Sequence, residues 1–359
     1  MNTHLMTFQN TSIVLGEGLR QSVLLEDACK TSSIVLIADE NIAELYGKEM
    51  QSYLQSSSKE VYLLTFPPGE ASKSRATKEK LEDQMQKKGL GRDTTLIGIG
   101  GGVTTDLAGF IASTYCRGIP LILMPTSLLG MVDASIGGKT GVNTPYGKNL
   151  IGTFYLPETL IIDFDFLVSL PKEGIEEGLV EVIKMALTSD KKLFDEMEKA
   201  GESLLKLDKP LKRIIKRACE IKLEVISTDF EEKKGMRRIL NFGHTVGHAL
   251  EKFFNYQMPH GTAVAIGIIA ESFIACELEL LKRTYFNRIV KLLKPLAPCK
   301  QFDLREVYDY MILDKKSQDQ LPRFVLIDNI GHVLAFNDDY CTLVEEDVVL
   351  NALQFIQEI

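Results

Sequence analysis

Thr94-Thr-Leu-Ile-Gly-Ile-Gly-Gly-Gly-Val-Thr-Thr-Asp106 decides the fold class. Its opening residues are β-prone and run into three glycines, and a helical pattern resumes at Val103, so strand, glycine turn and helix follow one another. Such a junction exposes backbone N–H groups at a helix start, where a pyrophosphate can lie. The dinucleotide fingerprint G-x-G-x-x-G is incomplete, because Gly98 and Gly100 fit while Val103 stands at the third glycine position. A plain glycine turn is the alternative reading.

Outward from this junction the same alternation continues. Residues 33–39, 61–66, 121–124 and 159–163 read as strands, with helical patterns at 42–55 and 73–88 between the first three strands. Alternation of this kind predicts βαβ units and a Rossmann-like parallel sheet. After Lys172 the pattern changes: 173–188, 211–227, 243–254 and 262–278 all carry helical periodicity. Two domains are therefore expected, an α/β cofactor domain at 1–171 and an all-α metal- and substrate-binding domain at 172–359. Near the end, 323–327 and 332–336 flank Asp328-Asn-Ile-Gly331, a hairpin signal.

Several function classes are disfavoured at once. A formal charge of −8 opposes nucleic-acid binding, whose phosphate contacts demand a basic surface. No uninterrupted apolar run approaches the roughly 18 residues of a membrane span, so no membrane partner is expected. Residues 1–10 lack the pattern of a secretory leader, which makes the cytoplasm the expected compartment. Six scattered cysteines form no C-x-x-C pair and suggest neither a disulfide framework nor a zinc ribbon.

Asp39, at the end of a strand, suits ribose hydroxyls and would repel a 2′-phosphate, favouring NAD over NADP. Gly138-Lys139-Thr140 resembles the end of a P-loop, but Asp133 stands where its first glycine belongs. Lys139 and Lys148 nevertheless sit on glycine-rich turns whose backbone can approach an anion.

If 237–251 is one helix, Arg237, Asn241, His244, His248 and Glu251 share a polar stripe. Gly243 and Gly247 leave room for something to approach its backbone. His244 and His248 are spaced to bind zinc together. A catalytic zinc also takes three His or carboxylate ligands, and His244, His260 and Glu181 form such a trio. Purely structural histidines are the third possibility. On 173–188, Glu177, Glu181, Lys184 and Thr188 line one narrow stripe among apolar residues, and a buried Glu181 would require a partner or a metal.

Together, Gly100-Gly-Gly-Val-Thr-Thr-Asp106, Pro125-Thr-Ser-Leu-Leu-Gly-Met-Val-Asp133, Gly137-Gly-Lys-Thr140, Gly147-Lys-Asn149, Glu181-Val-Ile-Lys184, Asn241-Phe-Gly-His244 and His260-Gly261 resemble the 3-dehydroquinate synthase family. The resemblance runs from Asp39 to Asp314-Lys315-Lys316. It implies zinc or cobalt on Glu181, His244 and His260, with His248 left for substrate phosphate. It implies NAD contacts at Asp39, Asn41, Glu70, Lys73, Gly101, Gly102, Val103, Asp106, Thr126, Ser127, Lys139 and Lys148. Substrate contacts fall on Asp133, Lys139, Asn149, Lys184, Lys222, Arg237, Asn241, His248 and one or both of Lys315 and Lys316. Arg117 would reach into the neighbouring subunit of a homodimer.

The implied substrate is a small-molecule sugar-acid phosphate, 3-deoxy-D-arabino-heptulosonate 7-phosphate. The implied chemistry is oxidation, phosphate elimination, reduction and intramolecular aldol closure. An iron- or zinc-dependent polyol dehydrogenase is the nearest alternative, disfavoured because an uncharged polyol has no use for Lys139, Lys222, Arg237 and His248 together. Cyclases of carboxylate-free sugar phosphates are disfavoured by the pair Lys222 and Arg237. A non-catalytic binding protein would not be expected to keep a polar group at every matched motif position.

Overall fold

Strands rich in Ile, Leu and Val, covered on both faces, make the centre of the first unit. The computed structural model describes residues 3–57, 59–298, 300–312, 321–336 and 339–359. It divides into two compact units, Met1–Pro171 and Lys172–Ile359.

In the first unit the strands are β1 (His4–Phe8), β2 (Thr11–Gly16), β3 (Ser33–Asp39), β4 (Glu60–Phe66), β5 (Thr94–Gly100), β6 (Leu121–Pro125), β7 (Lys139–Thr144), β8 (Gly147–Phe154) and β9 (Thr159–Asp163). Its helices are α1 (Val23–Ala28), α2 (Glu40–Ile42), α3 (Lys48–Ser56), α4 (Arg75–Lys87) and α5 (Gly102–Thr114). Seven strands form one sheet in the order β1-β2-β9-β6-β5-β3-β4, parallel throughout except for β1 at the edge. Every residue of β5 and β6 is buried, as strands covered on both faces must be. The chain runs from β3 to β4 on one side, then returns to place β5 on the other. That reversal makes the ends of β3 and β5 a topological switch point, where open α/β sheets bind their ligands.

The expected strands of this unit all form, within one residue of the expected ends. Helix 42–55 is interrupted by a π-turn at Ala43–Gly47, where a Cβ on Gly47 would press on the Leu63 side chain at 3.1 Å. Helix 73–88 begins only at Arg75, because the Ser74 hydroxyl accepts the Thr77 N–H at 3.2 Å and caps it. The hairpins β1–β2 and β7–β8 were not expected. The second of these hides in a glycine-rich stretch, since the β7 and β8 backbones meet at Gly141 and Gly152. A Cβ on Gly152 would lie 1.9 Å from the Thr140 carbonyl oxygen.

The second unit is mostly helical: α6 (Lys172–Ser189), α7 (Lys191–Ala200), α8 (Lys209–Thr228), α9 (His244–Phe253), α10 (His260–Glu277), α11 (Arg283–Leu293), α12 (Leu304–Ile312) and α13 (Glu346–Glu358). Among the described residues four short strands accompany them, β10 (Arg323–Phe324), β11 (Ile327–Asn329), β12 (His332–Val333) and β13 (Thr342–Leu343). The expected terminal hairpin is tighter than its sequence signal. Asn329 pairs with His332 across Ile330-Gly331, while Arg323–Phe324 turns away to pair with β13. Among the described residues one helix, α10, is long and apolar enough to cross a membrane. Its 18-residue window is 72% buried inside the protein, as the core helix of a helical domain is.

Candidate active site

At the end of β5 the glycines serve close packing before anything else. A Cβ on Gly98 would sit 2.6 Å from the Ala108 Cβ, and one on Gly100 would sit 2.2 Å from Thr104 Oγ1, so both let α5 lie against its strand. Gly101 is the N-cap of α5 and has no side chain to satisfy the first-turn N–H groups. At the end of β3, Asp39 Oδ1 accepts the N–H groups of Asn41 (3.0 Å) and Ile42 (3.1 Å). Asp39 and the glycine turn therefore flank the switch point. Beside them the Thr126 N–H donates to the Gly100 carbonyl at 2.9 Å. The Gly130 N–H donates to Ser127 Oγ at 3.1 Å, opening the π-turn that carries Asp133.

A second cluster in this unit joins side chains from three segments. Lys73 is buried, and its ammonium donates to Asp106 Oδ2 on α5 and, at 2.6 Å, to Asn149 Oδ1 on β8. Glu70 Oε1 accepts from Asn143 Nδ2 at 2.7 Å. Lys73, read from the sequence as a cofactor contact, thus touches Asn149, read as a substrate contact. Lys139 opens β7, Lys148 lies on β8, and Arg117 closes a 3-10 turn after α5. Cys116 (φ 50°) and Arg117 (φ 66°) are both left-handed without being glycine, a conformation that side chains adopt at a cost.

In the second unit, Glu181, His244 and His260 each offer one ligand atom, and these atoms all lie within 4.8 Å of one another. Glu181 is fully buried on α6, and its Oε2 accepts from the Lys184 ammonium one turn on. Its Oε1 is buried without a hydrogen-bond partner, lying 3.8 Å from His244 Nε2 and 3.6 Å from His260 Nε2. Metal–ligand bonds of about 2.0–2.2 Å in a tetrahedron put neighbouring ligand atoms about 3.3–3.6 Å apart. A small contraction of the observed triangle therefore fits a metal ion, and the ion would satisfy the orphaned Oε1.

The other ring nitrogens are already directed. His244 Nδ1 lies 3.1 Å from the Phe242 carbonyl, which can only accept, and His260 Nδ1 lies 3.5 Å from Glu251 Oε2. Both arrangements turn Nε2 toward Glu181, where it is the atom that a metal ion would take. Burial alone would raise the Glu181 carboxyl, but the Lys184 and His260 charges outweigh it and hold it well below its ordinary value. Burial would likewise lower His260, and here Glu181 and Glu251 outweigh it and push the ring well above its ordinary value. A proton and a metal ion compete for the same lone pair.

A second group, His248, Glu251 and His260, also falls within 4.8 Å. His248 is exposed, and its ring centre is 5.2 Å from that of His244.

Backbone contact brings the histidines together. A Cβ on Gly267 of α10 would lie 1.9 Å from the Gly243 carbonyl oxygen, and one on Gly247 of α9 would lie 3.1 Å from the Ala263 oxygen. What approaches the glycines read from the sequence is thus α10 itself. Gly267→Ala is expected to cost roughly 1–3 kcal/mol or more by overpacking. A lower melting temperature and weaker metal binding, with no ligand changed, would show it.

The supposed single helix over 237–251 is broken. Arg237 and Asn241 lie on a 3-10 turn at Met236–Asn241, Gly243 is left-handed at φ 80°, and α9 starts afresh at His244. Glu271 explains the break: fully buried on α10, it accepts the N–H groups of Gly243 (2.8 Å) and Thr245 (3.2 Å) and caps α9 from outside. A lone acid in the apolar run of α10 was the sequence signal for it, since a buried carboxylate needs donors. Arg237 is also buried, and Lys222 lies buried on α8. The Asp229 carboxylate accepts the N–H groups of Lys233 (2.8 Å), Lys234 (3.0 Å) and Arg237 (3.3 Å), folding the loop that carries Arg237. Asp229 and Glu271 were not among the expected site residues, and Glu251 was read from the sequence as part of the polar stripe without a role of its own. Lys315 and Lys316 lie outside the described residues.

Two family models, described as 3-dehydroquinate synthase N-terminal and C-terminal, match residues 63–177 and 178–317. A 3-dehydroquinate synthase from Pelobacter propionicus is 38% identical over 85% of this chain and 86% of its own length. The chain belongs to the 3-dehydroquinate synthase family. The pentafunctional AROM polypeptide of Schizosaccharomyces pombe is also 38% identical, over 94% of the chain, which spans 24% of that polypeptide.

Two solved cyclase structures share the fold closely. A 2-deoxy-scyllo-inosose synthase complexed with carbaglucose-6-phosphate, NAD+ and Co2+ superposes with TM-score 0.88 at 26% identity, covering 99% of this chain and all of its own. A 2-epi-5-epi-valiolone synthase from Streptomyces hygroscopicus subsp. jinggangensis, with NAD+ and Zn2+ bound, gives 0.87 at 29%, covering 98% and 97%. A glycerol dehydrogenase from Schizosaccharomyces pombe gives only 0.66 at 18%, covering 98% and 90%, a likeness of fold alone.

Proposed function

We propose that this chain is a 3-dehydroquinate synthase that turns 3-deoxy-D-arabino-heptulosonate 7-phosphate into 3-dehydroquinate and phosphate, using NAD and Zn2+ or Co2+. The observation that carries the reading is the orphaned Glu181 Oε1 facing His244 and His260 in a chain of this family. When bound, the metal supplies Lewis acidity to an alcohol and NAD supplies a hydride acceptor.

The chain's own part is to hold and orient. Glu181, His244 and His260 hold the metal, Lys184 fixes one Glu181 oxygen, and Phe242 and Glu251 fix the two rings. The amides of Gly101, Gly102 and Val103 take the pyrophosphate, Asp39 the ribose, and Asn41, Glu70, Lys73, Asp106, Thr126, Ser127, Lys139 and Lys148 complete the cofactor contacts. Lys222 and Arg237 receive the substrate carboxylate. His248 and Lys315 or Lys316 receive its phosphate, while Asp133, Lys139, Asn149, Lys184 and Asn241 position the rest. Each charge-assisted contact is worth roughly 1.5–3 kcal/mol. We extend the proposal to a cytoplasmic homodimer in which Arg117 reaches the partner's substrate.

A cyclase returns within one turnover the hydride it removes, so NAD recycles, whereas a dehydrogenase releases one NADH per product. With protein, substrate, NAD and metal mixed, inorganic phosphate is expected to accumulate over many turnovers while reduced nicotinamide stays at or below the protein concentration. Chelation is expected to stop phosphate release, and Zn2+ or Co2+ to restore it. Stoichiometric NADH without phosphate, or full turnover by metal-free protein, would overturn the assignment.

A further inference from the structure

Asn143 lies on β7 and is half-buried. It has no place among the residues read from the sequence, yet it ties together three that do. Its backbone N–H donates to the Lys73 carbonyl at 2.8 Å, and the segments around Ser74 and Asn143 form an isolated parallel bridge. Its side-chain amide uses both ends: Nδ2 donates to Glu70 Oε1 at 2.7 Å, and Oδ1 accepts the Asn149 N–H at 3.0 Å. Asn149 is left-handed at φ 55°, a conformation that needs local support. The side chain of Asn149 in turn accepts from Lys73 at 2.6 Å. One amide thus closes a ring of contacts from the Glu70–Lys73 turn, across β7, to the start of β8.

We infer that Asn143 is a positioning residue that locks the cofactor-side pair Glu70 and Lys73 to the substrate-side Asn149. The inference rests on the cofactor and substrate roles proposed above for those three residues. The amide serves both neighbours at once, because Glu70 offers an acceptor and the Asn149 N–H offers a donor. A carboxylate at 143 would still accept from Asn149 but would face the Glu70 carboxylate with like charge. An alanine would release both tethers.

The test uses the full-length metal-loaded protein, with NAD affinity from isothermal titration, KM for the sugar-acid phosphate, and melting temperature. Asn143→Asp is expected to weaken NAD binding about tenfold and leave KM for the substrate within a factor of two. In Asn143→Asp/Glu70→Gln the amide introduced at 70 donates to the carboxylate introduced at 143, so NAD binds at least fivefold more tightly than the separate losses in Asn143→Asp and Glu70→Gln multiplied together. Asn143→Ala, which creates no repulsion, is expected to raise both the NAD Kd and the substrate KM.

A purely structural role would lower the melting temperature without the reversal in the double variant. Losses that simply multiply in the double variant, or parent-like NAD binding and KM in Asn143→Ala, would sink this inference alone. Absence of NAD binding by the parent chain would instead sink the cofactor reading and this inference with it.

Discussion

His244→Ala is expected to lose bound metal and turnover together, whereas His248→Ala keeps the metal and loses turnover. His244 Nε2 lies 3.8 Å from the orphaned Glu181 Oε1, so removing the ring leaves a buried carboxylate with His260 as its one imidazole ligand partner in the trio. Losing an outer hydrogen bond typically costs about 10–100-fold in metal affinity, and loss of a ligand should exceed that range. His248 sits one turn along α9 and is exposed, so its loss does not open the Glu181 triangle. Metal content after gel filtration and the visible spectrum of the Co2+ form separate the two variants. If both lost metal equally, the ion would belong to the i, i+4 histidine pair, and loss in His248→Ala alone would place it on His248, Glu251 and His260.

The sheet was legible in the sequence because β3, β5, β6 and β9 are buried runs of aliphatic residues closed by turn or capping residues. The β7–β8 hairpin was not. Its pairing depends on two glycine backbones meeting at Gly141 and Gly152, and glycine reads as a turn in any single-sequence pattern. The break before α9 was hidden for a different reason. Helical counting from Arg237 to Glu251 is self-consistent, and only the Glu271 carboxylate, some 28 positions from Gly243 in sequence, ends it. Local periodicity carries no information about a cap supplied by another helix.

The same division holds for the candidate site. Glu181 with Lys184 was visible as a charged stripe in an apolar helix, and the structure pairs those two side chains. Asp229, Glu251 and Asn143 act by holding other residues, and their partners are backbone N–H groups, a histidine ring and the Glu70 carboxylate, which become neighbours only after folding. Residues that carry chemistry tend to fall in dense motifs, whereas residues that orient them are scattered by topology.

Arg237 offers the second large effect. Its guanidinium is buried and donates to the Phe230 carbonyl, and its own N–H is held by Asp229 at 3.3 Å. A buried, pre-aimed guanidinium suits a carboxylate that would bring its own charge into the site. Arg237→Met is expected to lower kcat/KM for the sugar acid by roughly 2–5 kcal/mol, the cost of truncating one partner of a desolvated charge pair, or about 30- to 5,000-fold. Metal content and NAD affinity should stay at parent values. Asp229→Ala keeps the guanidinium but releases the loop, so it should raise KM more than it lowers kcat. Burial would raise the Asp229 carboxyl, but the N–H groups of Lys234, Arg237, Lys233 and Gly235 outweigh it and lower it. Its contribution is therefore complete above the unfolded carboxylate range and is lost as pH falls through the lowered value. The parent should thus lose loop order only in acid, while Asp229→Ala lacks it at neutral pH, a difference that amide hydrogen exchange at residues 233–237 would report. Parent-like kcat/KM in Arg237→Met would make Arg237 a structural cation and remove the carboxylate from the specificity argument.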